Sequence, residues 1–354
     1  MSMKVIPPLA ITDAMLTSTS AVETAPALYA GGTTYALNAT AGVAGAAGLI
    51  TIYKSLQGSN TGHAPASSPT WWVSIGTTYQ VYAGGTTYAL ADRVIDNVAH
   101  LVYESLIGGN VGNVLSDGAK WKAIGPTNPW AMFDTLRNTA TTVPAGTLTA
   151  TITPGVRIDS LALLGLSATS ATITVTVAGV TQYSKTVNLN LRYVANWYDY
   201  YFAPFKTQNS LVVFDIPPYS NGVITITLTN LTGNVACGAC VMGMQVDIGD
   251  VQYSAESDAL NFSTVDRTTD GTATLIPSRN VPKTISSIWL DKKFVNQARS
   301  LRDSLNGSTA VWAGLDDDTQ EYFEALLILG FYRRFTINLQ YPDFAIISLE
   351  LEEV

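Results

Sequence analysis

Thr and β-branched apolar residues take turns along two segments, Thr172-Ile173-Thr174-Val175-Thr176-Val177 and Val223-Ile224-Thr225-Ile226-Thr227-Leu228. That period of two belongs to strands buried on one face only. Thr147–Ile152 and Arg157–Leu164 add two further strands. Short strands punctuated by turns over residues 142–250 predict a β-sandwich, jelly-roll-like in type. The texture changes over 251–354, where an α+β assembly domain is expected. Ser287–Leu290 is a strand, and Phe294, Ala298, Leu301 and Leu305 recur at near-helical spacing until Asn306-Gly307 stops the helix. Ala310–Gly314 is a strand and Thr319–Leu326 a short helix that Asp318 could cap. Leu327–Leu339 and Phe344–Leu351 then form a hairpin turned at Tyr341-Pro342-Asp343.

Upstream, the pattern is carried by a repeat. The nonapeptide Tyr29–Leu37, YAGGTTYAL, returns unchanged as Tyr82–Leu90, 53 positions later (29 to 82). Ile52–Leu56 is echoed by Val102–Leu106, and Trp72–Gly76 by Trp121–Gly125. Three landmarks in one order indicate a duplicated module of about 50 residues. Two small β modules are therefore expected, at 26–76 and 77–126. Each is read as a Thr-Thr-Tyr-Ala-Leu strand (Thr33–Leu37 in the first), a Tyr strand and a Trp strand. An extended N-terminal arm, 1–25, precedes them. Its Pro7-Pro8 and β-branched residues leave it either disordered or laid on a neighbour, and its apolar content favours the neighbour. Residues 127–141 are read as a linker. The whole is mainly β and multidomain.

Composition narrows the class. Charged residues are 13% of the 354, about half the usual share, although the apolar fraction is ordinary at 47%. A surface so poor in charge suits subunits packed into a large assembly or a stable β-protein. The net charge of −8, without basic runs, argues against a nucleic-acid groove. No apolar run approaches the roughly 20 residues of a membrane span. The N-terminus has no signal-peptide pattern, so synthesis in a cytoplasm is expected.

Candidate chemistry is sparse. Cys237 and Cys240 form a CxxC inside a β-rich stretch, and only two histidines, His63 and His100, exist to complete a zinc site. Two buried strand residues are the preferred reading. Asp316-Asp317-Asp318 lacks the alternating ligands of a calcium loop, and Asp199 and Glu256 are only nominal partners for glycosidic chemistry. No catalytic residue, cofactor or metal is expected. Six aromatics fall within Tyr193–Phe202. They are read as packed under the sandwich or at a subunit interface, or alternatively as a glycan platform with Asn196 and Asp199 as hydrogen-bond partners. Trp71 and Trp72 are further stacking candidates. The residues expected to touch a glycan or partner are Trp71, Trp72, Trp121, Tyr193, Trp197, Tyr198, Asp199 and Tyr200.

In the second repeat, Tyr82, Gly85-Thr86-Thr87-Tyr88, Asp92-Arg93-Val94, Val102-Tyr103 and Trp121 resemble the small chitin-binding-type carbohydrate modules. The resemblance implies that these landmarks are largely core, with sugar held by exposed aromatics after the Tyr strand. Here those positions are Leu56-Gln57 and Leu106-Ile107, which weakens the binding signal. At the other end, Val311–Gly314, Gly330–Phe335, Tyr341-Pro342 and Ser348–Glu350 resemble the C-terminal domain of virion proteins of tailed bacteriophages. That implies a structural component of the baseplate, tail tip or fibre attachment, located in the virion. Its partners would be other tail proteins and further copies of itself, with a host surface glycan as the alternative target.

Overall fold

Sheet forms where the alternation is strongest. The computed structural model describes residues 2–144, 146–191, 194–253, 255–315 and 323–354, and its elements are mainly strands. A five-stranded antiparallel sheet runs in the order Val180–Asn188, Ser170–Val177, Val223–Asn230, Gly146–Ile152, Leu16–Thr19. Ile226 stands between Ile173 and Ala150 on neighbouring strands, while the threonines line the outer face, Thr151 beside Thr225 and Thr172 beside Thr186. The apolar parity packs against a three-stranded sheet of Ser210–Val213, Ser160–Leu164 and Ala239–Gly243. This completes the sandwich, five strands against three.

The three-stranded sheet is buried on both faces. Leu161 and Leu163 face the five-stranded sheet, whereas Ala162 and Leu164 face the other way, onto Ile6, Val311, Ala313 and Leu329. Its strands read as unbroken apolar runs because neither parity meets water.

The second layer that it contacts is a seven-stranded sheet: Val246–Val251, Ser2–Ile6, Ala310–Ala313, Leu327–Asn338, Phe344–Glu353, Asn280–Asp291, Glu256–Asn261. Asp250 also pairs with Trp289 and Val251 with Ile288, so the first six strands close into a small barrel, with Glu256–Asn261 as an outer edge. Trp312, Ile288, Leu290, Ile347 and Leu349 fill the interior, where Ala298 and Leu301 of the helix Val295–Ser304, with Leu305 just beyond, pack against them. Closure brings two backbones together at Gly249, whose φ is +108. A Cβ there would lie 2.2 Å from the Trp289 carbonyl oxygen, so the seam needs glycine.

Several expectations change. The N-terminal segment is extended, but it is laid on its own chain rather than a neighbour. Ser2–Ile6 sits inside the barrel between Val246–Val251 and Ala310–Ala313, with Val5 fully buried, and Leu16–Thr19 edges the sandwich. Residues 127–141 are not a free linker. Asn128–Phe133 is a 3-10 turn whose Pro129, Ala131 and Met132 are buried, Met132 within the sandwich core; so apolar a run is better covered than solvated. Finally, the strand Val246–Val251 belongs to the barrel, so sandwich and barrel overlap across the boundary near 250. The acidic turn Asp316–Asp318 and residues 319–322 of the expected helix lie outside the described residues; Phe323–Leu326 is a 3-10 turn.

The two modules share one six-stranded sheet, Thr40–Ala44, Leu49–Ser55, Trp72–Val81, Arg93–Asp96, Leu101–Ser105, Trp121–Pro126. They join through a parallel step, Gln80 with Val94 and Val81 with Ile95. The repeated nonapeptide, read from sequence as a strand, is not one. It is a pair of turns with a single bridge, Tyr35 to Asn60 and Tyr88 to Asn110, because each second Tyr hydroxyl is turned back onto the backbone N–H of Ala30 or Ala83, at 2.9 Å.

Candidate functional site

Each module is built around three rings. Tyr29, Tyr35 and Trp72 form one set, with Trp72 edge-on to both tyrosines at 6.0 and 5.0 Å. Tyr82, Tyr88 and Trp121 form the other, at 5.7 and 5.3 Å. The Trp72 indole N–H donates to the His63 carbonyl at 2.8 Å and that of Trp121 to the Asn113 carbonyl at 2.9 Å. Both indoles are 2% exposed. Trp72 and Trp121 are therefore core residues and not contact residues: their hydrophobic rings and single N–H are already satisfied inside the module.

Trp71 differs. It is half-buried and stacks on the His63 ring at 3.8 Å and 12°, while His63 Nδ1 lies 3.1 Å from Asn60 Oδ1. The second module has Lys120 and Asn113 at the equivalent places, so only the first carries this stacked pair. After the Tyr strands, Leu56 and Leu106 are exposed, and Gln57 donates to the Thr70 carbonyl at 2.9 Å.

The aromatic segment lies on the surface. A two-residue ladder, Asn190–Leu191 against Lys206–Thr207, closes its base, and the helix Trp197–Phe202 forms its tip. Asn196 accepts from the Asp199 N–H at 3.0 Å, and Asp199 accepts from the Ala195 N–H at 3.2 Å. This reciprocal cap fixes the start of the helix. Asn196 and Asp199 thus serve the helix rather than standing free as glycan partners. No residue of the helix is buried. Trp197, Tyr198, Tyr200, Tyr201, Phe202 and Phe205 are each more than half exposed. The five rings of the helix neighbour one another at centroid distances of 4.9–6.4 Å, as in Tyr198 with Phe202 and Tyr200 with Tyr201. The reading in which these rings pack under the sandwich is overturned. Tyr193 lies outside the described residues.

A second exposed ring series went unnoticed in the sequence. Trp289, Phe344 and Tyr341 stack in succession at 4.9 and 4.5 Å on the outside of the barrel. The outward parity of Trp289, between buried Ile288 and Leu290, was the available signal.

Cys237 and Cys240 are buried free thiols. Burial pushes the Cys237 thiol up to about 12, and burial together with the nearby Cys237 raises that of Cys240 well above its usual range. Neither is poised as a nucleophile or metal ligand. Among the described residues, no cluster of three or more His, Cys, Asp or Glu has metal-binding spacing, and no helix is long and apolar enough to cross a membrane. No protein-family model matches the chain, and comparison with the curated proteins gives no match either.

Proposed function

We propose that the protein is a structural component of a tailed-phage virion, at the baseplate, tail tip or fibre attachment, which assembles through the aromatic knob at 197–205 and carries the tandem modules as surface appendages. The observation that carries this reading is the knob itself. Five large rings stand in water on a helix that buries none of them, and Phe205 just beyond it is exposed as well. A six-residue helix has little stability of its own, and each aromatic side chain can hide about 150–250 Å² against a partner. A contiguous apolar patch of that size marks an interface. The low charge of the chain fits a second copy as the first occupant, because little repulsion opposes close approach. The module triads are spent on internal packing, which suits modules kept as rigid spacers.

Light scattering over a range of concentrations tests the reading. A closed oligomer that falls to monomer in the Trp197→Ser/Tyr201→Ser/Phe202→Ser variant supports it. A wild-type chain that stays monomeric at every concentration overturns self-assembly through the knob. A second reading, glycan recognition, is favoured by the half-buried Trp71, backed by His63 and able to offer its other face to a sugar ring. Glycan capture lost in Trp71→Ala and kept in the knob variant would select it.

A further inference from the structure

Both ring nitrogens of His100 face carboxylate oxygens. Nδ1 lies 2.8 Å from Glu23 Oε1, and Nε2 lies 3.2 Å from Asp13 Oδ1. A neutral imidazole has one N–H, so it would donate to one carboxylate and turn a lone pair on the other. Only the imidazolium satisfies both. The ring is held against Trp130, stacked at 4.2 Å and 22°, and the His100 carbonyl accepts from the Thr127 N–H at 2.7 Å.

Glu23 is the meeting point of three parts of the chain. Its Oε1 accepts from Thr127 Oγ1 at 2.6 Å as well as facing His100, and its main-chain carbonyl accepts from Thr78 Oγ1. Thr78 lies on Trp72–Val81, the strand that closes the first module and runs past residue 76, His100 belongs to the second module, and Thr127 to the segment entering the sandwich. We propose that His100 and Glu23 form a pH-sensitive latch, closed when His100 is protonated, which seats the tandem modules on the N-terminal segment that edges the sandwich.

The charged groups facing the ring are Asp13 and Glu23, both from the N-terminal segment. Trp130 covers one ring face and is uncharged. Asp96, on the turn leading to His100, is occupied by the Val98 and Ala99 N–H groups at 2.9 and 3.2 Å. Asp13 is 72% exposed and Glu23 only 21%, so Glu23 supplies the less screened attraction. Burial of the ring opposes its charge, but the hydrogen bonds and attraction from Glu23 and Asp13 outweigh that and raise the His100 pKa above its ordinary value. The sign follows: a raised histidine pKa stabilises the folded state fully below the unfolded value, and that contribution is lost as pH rises through the folded value. The latch therefore closes on acidification and opens above the ordinary imidazole range. A cavity of about 330 Å³ adjoins it, lined by Thr78, Arg93, Ile124, Thr127, Ala131 and Thr142. An opened seat has room to shift there without disturbing the sandwich core.

Hydrogen exchange on the whole chain, corrected for intrinsic rates, tests this at about pH 6 and about pH 8.5. Residues 12–24 should lose protection at the higher pH in the wild type and show no such pH dependence in His100→Gln. An equal loss in both proteins, or none in the wild type, overturns the latch. If His100→Gln does not fold, proton NMR titration of the wild type decides. Only two imidazoles exist, and His63→Asn, which copies the residue at the matching place in the second module, assigns them. A His100 midpoint above the ordinary imidazole value that drops in Glu23→Gln supports the latch. A midpoint at or below the ordinary value overturns it.

Discussion

Arg137 and Glu353 meet across 216 residues of sequence, with Arg137 Nη1 2.7 Å from Glu353 Oε2. The pair ties the segment after the modules to the last strand of the barrel. Arg279 reaches the other carboxylate oxygen of the same Glu353, which is 4% exposed. A buried carboxylate held by two guanidiniums is satisfied as it stands, and removing it leaves two cations facing each other.

Glu353→Ala should therefore destabilise the chain. Loss of one partner from a fully buried pair costs about 3–5 kcal/mol. The arginines are 23% and 42% exposed, so about 2 kcal/mol is the expected loss after allowance for solvent screening. Denaturant unfolding monitored by tryptophan fluorescence measures it. A change below about 0.5 kcal/mol would mean that the pair is only a surface contact.

Asn60 and Asn110 play one part twice. Each is fully buried, each donates to a serine hydroxyl at 2.9 Å, and each bridges to the second tyrosine of its nonapeptide through backbone hydrogen bonds in both directions. Asn60→Ala and Asn110→Ala should each cost about 1–3 kcal/mol by stranding buried polar groups. Because Gln80–Val81 and Val94–Ile95 join the modules in one sheet, the paired module should lose exchange protection as well. Protection lost from one module alone would show that the parallel step does not couple them.

Gly249→Ala should be far more damaging than its one added methyl suggests. The new Cβ meets the Trp289 carbonyl at 2.2 Å, and the backbone conformation itself disfavours a side chain. A loss above about 4 kcal/mol, or insoluble protein, is expected. Gly271→Ala is the control, since its φ is +87 but nothing lies within 4 Å of its Cβ. Equal stability of the two variants would show that the barrel seam can open without cost.

Serine substitutions at Trp197, Tyr201 and Phe202 should leave the melting of the monomeric state nearly unchanged, within about 0.5 kcal/mol per site. These rings bury little in the isolated chain. A large loss of stability would place them in an intramolecular role.

Neither cysteine should react with a thiol reagent in the native state, and both should react after denaturation. Burial holds both thiols protonated at neutral pH. Rapid labelling of the native protein would contradict that placement.

How far these features could be read beforehand depended on how local their causes are. The Thr/Ile alternation of 172–177 and 223–228 has its cause in one strand and its neighbours, so the sandwich was legible. The helix before Asn306-Gly307 and the hairpin at Tyr341–Asp343 were legible for the same reason. The home of Ser2–Ile6 was not, because its partners lie more than 240 residues away and nothing in SMKVI names them. The nonapeptide was misjudged because Thr-Thr-Tyr suits a strand by propensity, while the actual geometry is set by a tyrosine hydroxyl returning to its own turn. Aromatic density alone could not separate Trp72, which is core, from Trp197, which is surface. What distinguishes them is the order in which Trp72 follows Tyr29 and Tyr35, repeated when Trp121 follows Tyr82 and Tyr88.

The position of Ser2–Ile6 also sets an order of events during synthesis. Ser2–Ile6 leaves the ribosome long before the strands it pairs with, which begin at residues 246 and 310, and the barrel contains Phe344–Glu353. Contacts of such high sequence separation form slowly. The modules and the five-stranded sheet can fold while translation continues, since their strands all lie within residues 16–230. The barrel must wait until Phe344–Glu353 has been made, and until then Met3, Val5 and Ile6 remain uncovered. That interval is when a nascent chain is most open to capture by a chaperone, or by another copy of itself.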